Sequence, residues 1–326
     1  MISSHMEDDD VIDIYTINDK TYMDLNPAIW IEISDHEIQE KFSPNIPSSL
    51  EIHRSLTYNV AIFLKFDKLE TIHFNKKERK GKVVEVGPPL LIQLCLVFKN
   101  EWSKIPNFIN FYKRVHGIER FLLYDNNSNE QIPNDILLRE DVMYIPWNIP
   151  YKHTIKDKKS LGEDYTGPNE IITGQNSAYS HALKKFPNAT WTLFLDTDEF
   201  IVRRSGNPSL KDILSSSFSS SDTLILRGFW AGCNKFHKNE IYENLRKISR
   251  RGNKFCMNKL ILRTCHHVFT DCIHRAYPTT GATTVLAFEK GVYFFHLYIV
   301  SEKRTHCNCN IYCSYKDRSL IESFLY

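Results

Sequence analysis

Two runs of the chain are apolar without a regular polar alternation: LLIQLCLVF at residues 90–98 and the apolar-dominated WTLFL at 191–195. A strand with one face in water alternates; a strand covered on both faces does not, and such strands belong to sheets with helices packed on both sides. The intervening sequence fits. Trp102, Ile105, Ile109, Tyr112 and Val115 recur at helical spacing, with Ser103 as the expected N-cap, Pro106 in the first turn and Gly117 just past the end. ERFLLY (119–124) and DVMYIPW (141–147) read as further strands, and 175–186 as a helix closed by Pro187. Alternating strand and helix predicts an α/β fold with an open, largely parallel sheet and right-handed crossovers.

Upstream, residues 1–10 are polar, acidic and expected to be disordered, with no signal-peptide pattern. Residues 11–86 carry short Ile-, Val-, Tyr- and Phe-rich runs separated by turn residues, a small β-rich region. Its basic stretch NKKERKGK (75–82) reads as an exposed linker or hairpin tip. The α/β domain is assigned to 87–305 and a C-terminal extension to 306–326. Within the domain, 156–170 is long and polar, as lids over active sites are, and the Ser-rich 209–221 reads as a solvated loop.

In an open α/β sheet, ligands bind beyond the carboxyl ends of the strands. Asn100 and Glu101 follow the first strand, Asp125 and Asn126 the second, and Asp196, Thr197 and Asp198 follow WTLFL. All three polar clusters should gather along one edge. The third needs a counter-charge, because two carboxylates roughly 5 Å apart repel by about 3 kcal/mol at an effective dielectric near 20. Residues i and i+2 of an extended segment face the same way, so Asp196 and Asp198 can share one Mg²⁺ or Mn²⁺, hard cations that also accept phosphate oxygens. The plainer alternative has one aspartate capping the next segment and pairing with Arg203 or Arg204.

Taken in order, LCLVFKNEWSKIPNFINFYKRVHGIERFLLYDNNSNE, WTLFLDTDEF, NKLILRTCHHVFTDCIHRA and VYFFHLYIVSEK resemble the nucleotide-sugar glycosyltransferases of the GT-A fold, closest to family 92, over roughly residues 90–305. Two details depart from the family pattern: Leu297 interrupts its His-Tyr pair, and KLIL stands where KSIV is usual. The resemblance implies a Rossmann-like, mostly parallel sheet and metal-dependent, inverting transfer of a sugar from a nucleotide diphosphate sugar, usually UDP-linked, to a glycan or glycoprotein acceptor. It implies that Asp196 and Asp198 hold the metal, with His296 as a third ligand or phosphate contact. Asp125 and Asn126 would hold uridine and ribose, Asn100 and Glu101 would close the base pocket, and Lys259 would meet the diphosphate. Asp271 is a candidate base, as is Glu240, and His274 a candidate acceptor or phosphate contact; Trp230 could stack on a sugar.

Two rivals stand beside this reading. A haloacid-dehalogenase-type phosphatase would want Thr or Val where Phe200 stands, and its motif after the first strand. A non-catalytic carbohydrate-binding relative would have no need of both aspartates. The net charge of +2 gives no case for nucleic acid as partner. No apolar run reaches the roughly 18 residues that span a bilayer. The expected compartment is the cytoplasm, or a lumen if the chain is part of a membrane-anchored enzyme; the eight cysteines are then reduced thiols or disulfides respectively. HCNCNIYC (306–313) lacks the paired spacing of a zinc site.

Overall fold

Leu90–Phe98 forms one nine-residue strand, and its last seven residues are buried, as a strand covered on both faces requires. The computed structural model describes residues 10–42, 46–56, 60–68, 71–156, 169–203, 209–216, 221–232, 249–264, 284–286 and 292–297. These fall into two compact units, one drawing on the chain up to Pro89 and on Pro146–Asn188, the other on Leu90–Ile145 and on the chain from Ala189 to Thr264 with the two short segments after it.

The first unit opens with β1 (Val11–Ile17), β2 (Lys20–Leu25), the short helices α1 (Pro27–Trp30) and α2 (Asp35–Glu40), β3 (Glu51–Leu56), β4 (Val60–Asp67), β5 (Thr71–Phe74), β6 (Lys77–Lys80) and β7 (Lys82–Val83). Five of these strands make a sheet in the order β3-β4-β2-β1-β7. The basic stretch is half of a hairpin: β5 and β6 pair antiparallel around Asn75 and Lys76, both at positive φ, the backbone a tight two-residue turn needs.

In the second unit β8 (Leu90–Phe98) is followed by α3 (Ile105–His116), β9 (Arg120–Asp125), α4 (Asn134–Leu137) and β10 (Val142–Pro146). Helix α3 buries Ile105, Phe108, Ile109 and Tyr112 and ends at Gly117, whose φ of 69° is the left-handed conformation that glycine adopts without a Cβ clash. At its other end Lys104, not Ser103, occupies the N-cap, and no side chain caps the helix. The chain then returns to the first unit for the hairpin of β11 (Lys152–Thr154) with β12 (Glu170–Ile172) and for α5 (Gly174–Lys185). The lid expected at 156–170 falls almost wholly outside the described residues.

The second unit resumes with β13 (Ala189–Phe194), β14 (Glu199–Arg203), α6 (Leu210–Ser216), β15 (Thr223–Gly232), β16 (Ser249–Arg263), β17 (Thr284–Leu286) and β18 (Val292–Leu297). Its nine-stranded sheet runs β10-β9-β8-β13-β16-β15-β18-β14, with β17 also on β15. Strands β9, β8 and β13 are mutually parallel, as expected; beyond them β16 runs antiparallel to both β13 and β15, so the whole sheet is mixed. Helix α6 (Leu210–Ser216) corrects the first part of the loop expected at 209–221, of which 217–220 lie outside the described residues. Ser209 and Asp212 bond reciprocally at its start, and Leu210, Ile213 and Leu214 are buried at helical spacing beneath the serines.

Candidate active site

The parallel registers bring the strand ends level. Phe98 pairs with Asp125, and Phe194 with Cys95, so the segments after β8, β9 and β13 leave the sheet at one edge. Hydrogen bonds then join the three polar clusters. Asn100, at φ 54°, donates its backbone N–H to Ser128 Oγ at 2.7 Å and accepts the Asn129 N–H on its side chain at 2.7 Å. Asparagine tolerates this left-handed backbone better than most residues. Asp125 is buried; its carboxylate accepts the Ser128 N–H at 2.9 Å and the Trp102 indole N–H at 3.3 Å. Asn126 is buried too and donates its N–H to the Phe98 carbonyl at 2.8 Å. Glu101 accepts from Lys104 at 2.8 Å with one oxygen and from the Thr197 hydroxyl with the other, which ties the end of β8 to the aspartate segment.

Asp196 to Glu199 is a tight turn. The Glu199 N–H donates to the Asp196 carbonyl at 3.1 Å, and the Glu199 carboxylate accepts the Asp196 N–H at 2.9 Å. Tyr112 of α3 secures the exit: its hydroxyl donates to the Glu199 carbonyl at 2.8 Å and accepts the Ile201 N–H at 3.0 Å. Asp196, Asp198 and Glu199 each bring a carboxylate oxygen to within 4.8 Å of the others.

The counter-charge among the described residues is Lys259. Leu193 of β13 pairs with Ile261 of antiparallel β16, so Lys259, two residues along, comes level with the segment that leads into Asp196. Its Nζ lies 2.7 Å from Asp196 Oδ2 and 3.0 Å from Glu199 Oε2. The side chains of Lys259 and Glu199 are each only 1% exposed, against 35% for Asp196. Three carboxylates and one ammonium give the cluster a formal charge of −2.

The structure therefore gathers Asn100, Glu101, Asp125, Asn126, Asp196, Asp198 and Lys259. Residue 296 stands in register opposite Glu199, on β18. Asp271, His274 and Glu240, like the HCNCNIYC stretch, lie outside the described residues, as do the side chains of Trp230 and Arg203 and the whole of Arg204. Among the cysteines whose side chains are described, Cys95 is buried and free of any disulfide, its thiol pKa pushed up by burial. Sequence reasoning did not include Glu199 in the site, although it is the fourth residue of the same turn.

The described sheet is mixed, with an acidic turn beyond the end of a buried parallel strand. Residues 94–310 match Glycosyltransferase family 92, and the chain belongs to that family. Over 122 residues, 37% of this chain, it is 26% identical to a glycosyltransferase family 92 protein of Oryza sativa subsp. japonica, and the match spans 18% of that protein's length. Among solved structures it is similar to the bifunctional glycosyltransferase WbbM in its apo form, at 11% identity over 47% of this chain and 26% of that one with a TM-score of 0.26. It is likewise similar to the galactosyltransferase LgtC in complex with donor and acceptor sugar analogues, at 12% identity over 53% and 58% of the two chains with a TM-score of 0.26. No helix among the described residues is long and apolar enough to cross a membrane.

Proposed function

We propose that this glycosyltransferase takes its sugar from a nucleotide diphosphate sugar, UDP-linked by preference, and passes it with inversion to a glycan or glycoprotein acceptor, with Mn²⁺ or Mg²⁺ at Asp196 and Asp198. The observation that carries this is the acidic turn. Its oxygen donors suit a hard divalent cation, and its formal charge of −2, already counting Lys259, matches one. A bound cation would offset the negative charge that develops on the departing diphosphate.

The chain's own residues supply the rest. Glu101 and Tyr112 hold the turn rigid, so that Asp196 and Asp198 need little reorganisation to bind. Asp125, Asn126 and Asn100 border the nucleoside pocket, with the Asp125 carboxylate fixed by Trp102 and Ser128. His296, opposite Glu199 in register, would complete the ligand set. Inversion needs a base at the acceptor hydroxyl, for which Asp271 is the candidate, and His274 is a candidate contact to the acceptor or the phosphate.

The test is calorimetric titration of UDP with Mn²⁺ present and with EDTA. Tight binding only with Mn²⁺ is expected; equal affinity in both conditions would refute the shared cation. A hydrolysis screen over UDP and GDP sugars then identifies the donor.

A further inference from the structure

The three carboxylates of the turn are near one another but differ in surroundings. Asp196 and Asp198 are partly exposed; Glu199 is buried, with one oxygen accepting both the Asp196 N–H and the Lys259 ammonium. Lys259 reaches past it to Asp196 as well, so one buried ammonium bridges the first and last residues of the turn. A ligand that passes a cation on to a diphosphate has to face the solvent side, and Glu199 sits on the core side.

We infer that Glu199 and Lys259 form a positioning bracket: neither holds the cation, and together they fix the backbone of Asp196 and its carboxylate for binding. The inference rests on the reading that Asp196 and Asp198 take a divalent cation, and it divides the acidic cluster into two ligands and one support. The division has a physical signature. Removing a ligand's charge relieves repulsion in the metal-free protein. Removing Lys259 leaves the Glu199 carboxylate buried and charged without that ammonium, which destabilises the fold strongly; removing Glu199 leaves Lys259 its contact to Asp196 and costs less; replacing both by neutral groups of similar size costs less than the two losses together.

The experiment compares Asp198→Asn, Glu199→Gln, Lys259→Met and the double variant Glu199→Gln/Lys259→Met by melting temperature in EDTA and by Mn²⁺ binding alone, read by electron paramagnetic resonance. Lys259→Met is expected to lower the melting temperature in EDTA by roughly 5–15 °C. Glu199→Gln lowers it less, and the double variant melts well above the sum of the two losses. Mn²⁺ affinity falls roughly 10–100-fold in Glu199→Gln, the usual effect of removing a group that orients a ligand. Asp198→Asn loses more affinity but no stability. A Glu199→Gln protein that melts at or above the wild-type temperature in EDTA while losing Mn²⁺ as fully as Asp198→Asn would make Glu199 a ligand and overturn the bracket. If Lys259→Met gives no folded protein, the double variant decides: its recovery supports the bracket, and its failure beside a stable Glu199→Gln refutes it. Absence of Mn²⁺ binding by the wild type would overturn the cation reading instead, and the melting comparison would still judge the bracket.

Discussion

Replacing Asp198 by Asn preserves the shape of the side chain and removes one charge from the acidic turn. In the metal-free protein that charge faces two others, on Asp196 and Glu199, at no more than 4.8 Å between the converging oxygens. Each such pair repels by about 3.5 kcal/mol at an effective dielectric near 20. Asp198 is partly exposed, so water and salt screen most of this, and the relief amounts to about 1–2 kcal/mol. At about 2–4 °C per kcal/mol for a chain of this size or somewhat smaller, the melting temperature in EDTA should stay level or rise by a few degrees. Catalysis moves the other way. A preorganised electrostatic contact to the charge of the transition state is worth about 3–4 kcal/mol, so turnover of the correct donor should fall roughly 10²–10³-fold. The assay is nucleotide release from the donor identified by the hydrolysis screen, with saturating Mn²⁺, beside a thermal melt in EDTA. Near-normal transfer by Asp198→Asn would mean that the turn serves as an ion-pair motif and that the catalytic assignment is wrong.

Asp125→Ala should weaken UDP binding while leaving the Mn²⁺ affinity unchanged, as titration of each separately would show; because Trp102 and Ser128 both donate to this carboxylate, the variant should also lose about 1–3 kcal/mol of stability in a denaturant melt. Gly117→Ala forces a Cβ into left-handed backbone, 3.2 Å from Lys211 Cδ, and should cost about 1–2 kcal/mol of stability without affecting Mn²⁺ binding. In the first unit, burial lowers the pKa of His181, only partly offset by its hydrogen bond to Asp13. Asp13, against the burial that raises its pKa, is held well below the usual carboxylate range by His181 and Lys185 and stays ionised. Below the ordinary His181 value of 6.5 the unfolded chain gains a proton that the folded one refuses, so stability falls from pH 6.5 toward 5, by at most about 1.4 kcal/mol per pH unit from this group. His181→Gln keeps a donor for Asp13 and should flatten that slope in denaturant melts at the two pH values; an unchanged slope would show that His181 does not titrate there.

The parts of the fold fixed by local chemistry were legible in the sequence. Leu90–Phe98 announces itself by its lack of alternation, and Gly117 by its place at the end of a helical stripe. The gathering of Asn100, Asp125 and Asp196 follows from one rule about strand ends. Helix α6 was hidden because the seven serines of the run 209–221 outnumber the three apolar residues that define its buried face. The antiparallel insertion of β16 beside β13 was hidden because pairing across 72 residues, as between Trp191 and Arg263, leaves no local periodicity. For the same reason nothing in the sequence joined Asp196 to Lys259, whose ammonium meets it from that distant strand. Glu199 could have been found: a carboxylate three residues after Asp196 is placed to accept the N–H that opens the turn.

Lys259 follows Asp196 by 63 residues in the chain. On a ribosome adding about 5–20 residues per second, the acidic turn is therefore synthesised roughly 3–13 s before the ammonium that neutralises it. Throughout that interval β13 can pair with β8, which is already made, but the aspartates at its end face one another without their internal partner. Completion of the turn thus waits for β16 to dock, and a chain cut short before residue 259 would carry the whole acidic motif without the lysine beneath it.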